Sequence, residues 1–288
     1  MTIPPIGGPI RGIMMFIHRQ AYQSDLKDQE WKYLKRILPQ PSSVGTRGRP
    51  QEWPMREIVN AVLYLLRTGC QWRMLPHDLP PWQTVYYHHR KWRLNRLWEK
   101  INRLLHRQVR QQVGREATPS AAIVDAQSVK TTLVKGERGY DAGKRVSGRK
   151  RHIVVDTMGL LLSVLVTTGN VQDKPGGKQL LTQLYQRSHL PRLKLLWADA
   201  GYRGQPFADW VKTTFGWVWE VVKRNDDLKG FHVLPRRWVV ERTFGWLNNY
   251  RRLSKDYEEL PCTSESLIYL AMSRLMLRRL AGTTHFEQ

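Results

Sequence analysis

The sequence predicts an α/β protein in which an all-helical part precedes a sheet-forming part. Three observations carry this prediction. Up to about residue 112 the apolar residues recur at helical spacing. After residue 120 the pattern changes to short runs rich in β-branched residues that alternate with helical stretches. Between the two lies Val113-Gly-Arg-Glu-Ala-Thr-Pro-Ser120, a polar stretch broken by Gly and Pro. The expected organisation is a disordered leader over residues 1–23, a helical domain over 24–112, a linker over 113–120 and an α/β domain over 121–288.

In the first part, Ser24-Asp-Leu-Lys-Asp28 offers cap residues for a helix through Trp31, Leu34 and Leu38, ended by Pro39 and Pro41. Arg56 to Thr68 carries a stripe of Ile58, Val59, Val62, Leu63, Leu65 and Leu66, with Gly69 as its terminator. Cys70 to Leu75 reads as a short turn or helix. Pro80-Pro81-Trp82 opens a basic, aromatic helix through Val85, Tyr86, His89, Trp92 and Leu97. Helix, Gly-containing break and basic helix form a helix-turn-helix-like pattern, which a plain helical bundle also produces.

In the second part, Ala121 to Ala126 is the first strand. His152 to Asp156 and Leu160 to Thr168 form a hairpin across Thr157-Met-Gly159. A helix over 176–188, a buried strand over Leu193 to Ala198, a helix over 205–214 and a fifth strand over Trp217 to Val222 follow. Pro235 to Tyr250 and Ser264 to Leu280 are the last two helices, the latter ending in Arg278-Arg279 as the helix dipole favours. The order is βββαβαβα with one further helix.

Composition narrows the function. In 288 residues, 47 Lys and Arg stand against 24 Asp and Glu, a formal charge of +23, which points to a polyanionic partner, nucleic acid before an anionic membrane surface. Residues 1–120 hold 20 basic and 8 acidic side chains and are the more basic part per residue. Cys70 and Cys262 form neither a disulfide framework nor a CxxC zinc pair, which fits a reducing cytoplasm. The longest apolar stretch, Gly159 to Val166, is too short for a bilayer. A phosphate-loop reading of Gly139 to Lys144 fails, since Arg145 follows where Ser or Thr is required, so no nucleotide cofactor is expected.

Three acids stand out. Asp125 lies in the first, apolar strand. Asp199 ends the fourth strand, where ligands of open α/β sheets gather. Glu241 lies on a helix in Arg236-Arg-Trp-Val-Val-Glu-Arg-Thr-Phe244. Each acid alone reads equally as a cap or an arginine partner. Together, on these elements and in this order, they have the arrangement of a ribonuclease-H-like metal site. Converging carboxylates need cations to remain ionised, and Mg²⁺ or Mn²⁺ prefers such oxygen donors. Two ions about 4 Å apart can activate a nucleophile and stabilise the leaving oxygen of a phosphodiester.

At these residues the chain resembles the DDE transposases of bacterial insertion sequences, of the insertion-sequence-five family. Ile123-Val-Asp-Ala-Gln-Ser-Val-Lys-Thr-Thr132 is similar to that family's first-acid motif, Ala198-Asp-Ala-Gly-Tyr-Arg-Gly204 to its second, and Arg237 with Glu241 to its third. Gly139-Tyr-Asp-Ala-Gly143, Gly148-Arg-Lys-Arg-His152 and Leu253-Ser-Lys-Asp-Tyr-Glu258 also read as family segments. The resemblance runs from about Tyr22 to Leu280. It implies a ribonuclease-H-like fold, catalytic and metal-binding roles for Asp125, Asp199 and Glu241, and two Mg²⁺ or Mn²⁺ ions. It further implies cleavage and joining of element ends into target DNA by a homodimer or higher assembly, in the cytoplasm at the nucleoid. A decayed DNA-binding remnant or repressor, and a nuclease that cuts without joining, are the alternatives.

Two positions depart from the family pattern: Leu234 stands where Tyr is usual, and Asn248 where Lys is usual. Arg251 or Arg252, one turn on, is the substitute cation for the missing Lys. Arg237, four residues before Glu241, is expected to hold phosphate, orient Glu241 or form a surface ion pair. The segment around Gly148, with Lys144, Arg145, Arg149, Lys150 and Arg151, reads as a DNA backbone track or as a charged hairpin edge. Tyr202 and Arg203 beside Asp199, and His89, Arg90, Lys91 and Arg93 on the basic helix, complete the expected DNA contacts.

Overall fold

The computed structural model describes residues 19–39, 53–132, 135–222 and 238–283. Most of the expected leader lies outside them. Its last residues are nonetheless held in place: Arg19 bridges Asp25 at 2.7 Å and Glu57 at 2.8 Å, and the Tyr22 hydroxyl donates to Asp78.

The first part is helical, as its apolar spacing predicts. Helices α1 (Asp28–Ile37), α2 (Met55–Thr68), α3 (Trp82–Leu94) and α4 (Leu97–Gln112) follow one another. The basic helix expected to run through Leu97 instead breaks at Arg96, whose φ of 49° is left-handed, and α4 starts afresh in a new direction. Residues 69–81, including a short 3-10 turn over Trp72–Met74, join α2 to α3. That connection is longer than the three or four residues of a tight helix-turn-helix.

The second part contains strands β1 (Ala121–Lys130), β2 (Gly139–Asp141), β3 (Val146–Asp156), β4 (Leu161–Thr168), β5 (Leu195–Ala198) and β6 (Val218–Val221). Helices α5 (Asp173–Arg187), α6 (Gln205–Phe215), α7 (Trp238–Asn248) and α8 (Pro261–Leu280) accompany them. One sheet results, in the order β2-β3-β1-β5-β6, with β4 also on β3. β3 is antiparallel to both β1 and β4, whereas β1, β5 and β6 are parallel. The first three strands differ from expectation: β1 runs on to Lys130, β2 is additional, and β3 begins at Val146, so most of the basic segment lies in a strand.

Each sheet face is covered, as parallel strands require. On one face, Val124, Val154 and Ala198 pack against Leu180, Leu181 and Leu184 of α5 and Phe207 and Val211 of α6. On the other, Ile123, Ile153 and Val155 join a cluster that runs without a gap through α7 and α8 into Leu34, Ile58, Leu65 and Leu105 of the helical part. The chain boundary at 113–120 is therefore a bend in the backbone and not a break in the packing. Buried charges tie the same seam. Arg274 of α8 pairs with Glu30 of α1, and Asp156 at the end of β3 takes His106 at 3.1 Å and Arg110 at 2.5 Å from α4. Burial alone would raise the Asp156 carboxyl, but His106, the Leu160 amide and Arg110 hold it down.

Candidate active site

β1 and β5 bring two of the three acids together by register alone. Val124 pairs with Ala198 across the parallel strands, so Asp125 and Asp199 follow at the same level, one strand spacing apart, about 4.8 Å. Asp199 keeps an extended backbone (φ −80°, ψ 179°) before the chain turns through Ala200–Tyr202. Its carboxylate accepts the Gly201 amide at 2.9 Å, and the Asp125 carboxylate accepts the Ala126 amide at 2.7 Å. Both acids line one narrow cleft with Trp197, Val222 and Val240.

Val240 belongs to α7, which is fixed to the β3–β4 turn. Thr243 donates to the Gly159 carbonyl at 2.8 Å, and Arg242 to that of Met158 at 3.0 Å. Gly159 has φ +79°, and a Cβ there would lie 2.9 Å from the Thr243 hydroxyl, so glycine is what permits the helix to seat. Val239, Val240, Phe244 and Leu247 are buried, while Glu241, on the flank of that face, is exposed. Among the described residues no three His, Cys, Asp or Glu side chains converge closely enough to hold one metal ion. The structure thus places Asp125 with Asp199, and sets Glu241 beside the cleft without closing it into a single ligand set. Arg237 lies outside the described residues.

The donor chemistry suits a hard divalent cation: two carboxylates side by side on rigid strand ends, with Val240 of α7 lining the same cleft. Just behind them, the Tyr202 hydroxyl is fully buried and has no hydrogen-bond partner, and its pKa lies well above the ordinary phenol value. Burial is the main cause, and the charges of Asp173, Asp125 and Asp199 add to it.

The expected DNA contacts divide sharply. Lys144, Arg145, Arg203, Arg251, Arg90 and Lys91 are exposed. Lys144 reaches the Ala126 carbonyl at 2.8 Å and so stands next to Asp125, and Arg203 donates to the Ala200 carbonyl. Arg93 is half-buried against Cys262 and Thr263. Six others are corrections, because they are buried. Arg149 donates to the carbonyls of Glu137, Glu258 and Glu259 and pairs with Asp256 at 3.2 Å. Arg151 donates to the carbonyls of Leu253 and Lys255. Lys150 pairs with Asp141 at 3.2 Å and Asp173 at 3.1 Å. Arg252 binds Glu258 and the Cys70 carbonyl. His89 packs against Trp72, its imidazole pushed down to about 3 by burial and by the nearby Arg93 and Arg252. Tyr202 packs against Phe207 and Trp219. Here carbonyls and carboxylates of the same chain take up the cations that the basic pattern assigned to phosphate. Trp246 is likewise occupied, with Arg242 and Arg279 stacked on it.

Sequence reasoning missed Asp141 and Asp173. Asp141 accepts the Ser128 hydroxyl at 2.5 Å, the Lys144 amide and Lys150; against the opposing effect of burial, these hold its carboxyl at about 2. Asp173 heads α5, where an acid reads as an ordinary helix cap. Nothing in the sequence around either residue signals these pairings.

Residues 116–276 match a family model described as a transposase DDE domain, and residues 26–102 one described as a putative transposase of the IS4/5 family. The putative transposase for insertion sequence element IS402 of Burkholderia cepacia is 31% identical over 116 residues, which make up 38% of this chain and 54% of that protein. The chain thus spans about half the length of this curated relative. Among solved structures, a pre-cleavage Mos1 transpososome is 12% identical with a TM-score of 0.30, over 90% of this chain and 87% of that one. A Mos1 mariner paired-end complex with Mn is 13% identical with a TM-score of 0.25, over 85% and 83%. Superpositions this loose add nothing to the sequence matches. The DDE-domain match spans more than half of the chain, from the segment before β1 to α8, and the chain belongs to the transposase DDE domain family.

Proposed function

We propose that this protein is the transposase of an insertion sequence, with a ribonuclease-H-like sheet and a helical part that engages the terminal inverted repeats. The observation that carries the reading is the register of β1 and β5, which sets Asp125 and Asp199 side by side at one cleft. In this reading Asp125 and Asp199 would hold Mg²⁺ or Mn²⁺ as a pair of ions, with Glu241 of α7 as the third carboxylate. The ions supply Lewis acidity and a nucleophile at neutral pH. The chain's own residues do the rest. The two strands fix the carboxylates, Lys144 and Arg203 receive phosphates beside them, and α3 offers Tyr87, Arg90 and Lys91 to the duplex. Water opens the phosphodiester at the element end, and the freed 3′-hydroxyl attacks target DNA in line, with no nucleoside triphosphate. Pairing of two ends calls for a homodimer or larger assembly on DNA in the cytoplasm. No described helix is long and apolar enough to cross a membrane.

The test is incubation of the full chain with cognate element ends, target DNA and Mg²⁺, scoring cleavage and joining separately. Asp199→Asn is expected to keep end binding and lose both reactions. Cleavage retained in Asp199→Asn would remove Asp199 from the site. Cleavage by the unmodified chain without joining would identify a nuclease instead.

A further inference from the structure

Asp173 belongs to neither strand-end acid, yet it faces one of them. Its Oδ1 receives Lys150 Nζ at 3.1 Å, and Lys150 is itself buried on β3. Its Oδ2 turns toward the Ala200–Tyr202 turn. A Cβ built on Gly201 would lie 2.8 Å from Asp173 Oδ2 and 3.1 Å from Asp199 Oδ1. The position a Gly201 side chain would fill is therefore bordered by both carboxylates. No more than about 6 Å separates those oxygens, a range at which like charges act on each other unless positive charge intervenes. Lys150 balances Asp173 from the far side only, and it is already shared with Asp141.

The neighbouring Tyr202 supplies an independent sign. Its ring is fully enclosed by α5 and by Phe207 and Trp219, while its hydroxyl has no hydrogen-bond partner. The charges of Asp173, Asp125 and Asp199 all reach that hydroxyl. A buried hydroxyl is stable only with a hydrogen-bond partner, so one turned toward these carboxylates points to a ligand between them.

We propose that Asp173 and Tyr202 are positioning residues of a divalent-cation site at Asp125 and Asp199. In it the Asp173 carboxylate and the Tyr202 hydroxyl oxygen accept hydrogen bonds from cation-bound water. The inference rests on the metal-dependent reading above. Mg²⁺ and Mn²⁺ fit because a hard ion held by few carboxylates retains several waters, whose protons need acceptors. Lys150 holds Oδ1 of Asp173, which leaves Oδ2 turned toward Gly201. Gly201 leaves the space in which that water stands.

The test is Mn²⁺ binding to the full chain, read as loss of the free-ion electron paramagnetic resonance signal. Asp173→Asn is expected to weaken Mn²⁺ binding about tenfold, the scale of outer-shell partners, and Asp173→Glu to restore part of it. Tyr202→Phe is expected to weaken it several-fold while melting as the parent does, since the ring packing is unchanged. A purely structural Asp173 would lower the melting temperature and leave Mn²⁺ affinity unaltered. Parental affinity in both Asp173→Asn and Tyr202→Phe, with binding lost in Asp199→Asn, would overturn the proposal. If Asp173→Asn fails to fold, Tyr202→Phe decides. A parent that binds no Mn²⁺ would refute the metal reading itself, and the proposal with it.

Discussion

At Glu265, on α8, two local influences oppose each other. Its carboxylate accepts the Val166 amide at 2.9 Å, which favours the charged form, but burial is the larger effect and pushes the carboxyl up to about 7. The folded chain therefore holds this proton more tightly than the unfolded chain does. The resulting stability is complete below the ordinary value of 4.5 and is lost as pH rises through about 7. Glu265→Gln, which keeps the acceptor, is expected to gain on the parent in melting temperature steadily from pH 5 to 7. A constant difference across that range would refute the assignment. The imidazoles of His89 and His152 act in the opposite sense. Burial holds them at about 3 and about 4, so each favours the fold above its ordinary value of 6.5 and withdraws that support as pH falls.

β3 is the element where charge and position part company. Arg149, Lys150 and Arg151 read as a basic track because a sequence displays the cations and not what surrounds them. The acceptors come from residues 253–259, more than a hundred positions later, and from Asp141 and Asp173. A single chain offers no local signal for that pairing. The strand itself was legible from Ile153, Val154 and Val155, since β-branched residues mark half-buried extended chain whatever their neighbours carry. α4 was hidden for a related reason: its start depends on a left-handed Arg96, a residue type with no preference for that conformation. β1 and β5 were legible from their apolar runs, and Asp125 and Asp199 stood out only as a set with Glu241, because one acid in or after an apolar run reads equally as a cap or an arginine partner. The distinction is measurable. Lys91→Ala, on the exposed side of α3, is expected to reduce the slope of log binding constant against log salt by about one. Arg149→Met is expected to leave that slope unchanged and to cost about 3 kcal/mol of stability, because it strips Asp256 of a buried partner. A lowered salt slope in Arg149→Met would return that residue to the DNA surface.

Over the whole molecule, the helical and sheet-forming parts share one apolar cluster, and α8 stands at its centre with Leu267, Ile268, Met276 and Leu277 almost wholly enclosed. The polar stretch at 113–120 stands out in the sequence. The shared core does not, because α8 has apolar residues around much of its circumference, a pattern that says it is buried but not between what. The chain is expected to unfold in a single calorimetric transition with equal calorimetric and van't Hoff enthalpies. Two separated transitions would show that the parts are independent. The +23 excess sorts itself at this scale as well: many of the cations near the candidate site hold the fold, and those left outward on α3 and beside Asp125 form the surface a polyanion can meet.

The position of α8 also bears on how the protein is made. A ribosome synthesises α1 to α4 first, but Arg274 and the apolar side chains that close their core arrive only when residue 280 has emerged. The amino-terminal helices consequently wait, unfinished, through synthesis of the entire sheet, unlike a modular protein whose first domain folds as it appears. A message broken before α8 is expected to leave the amino-terminal helices without the residues that close their core. Arrested nascent chains should show this directly, with protease protection of α2 appearing only in those long enough to expose α8.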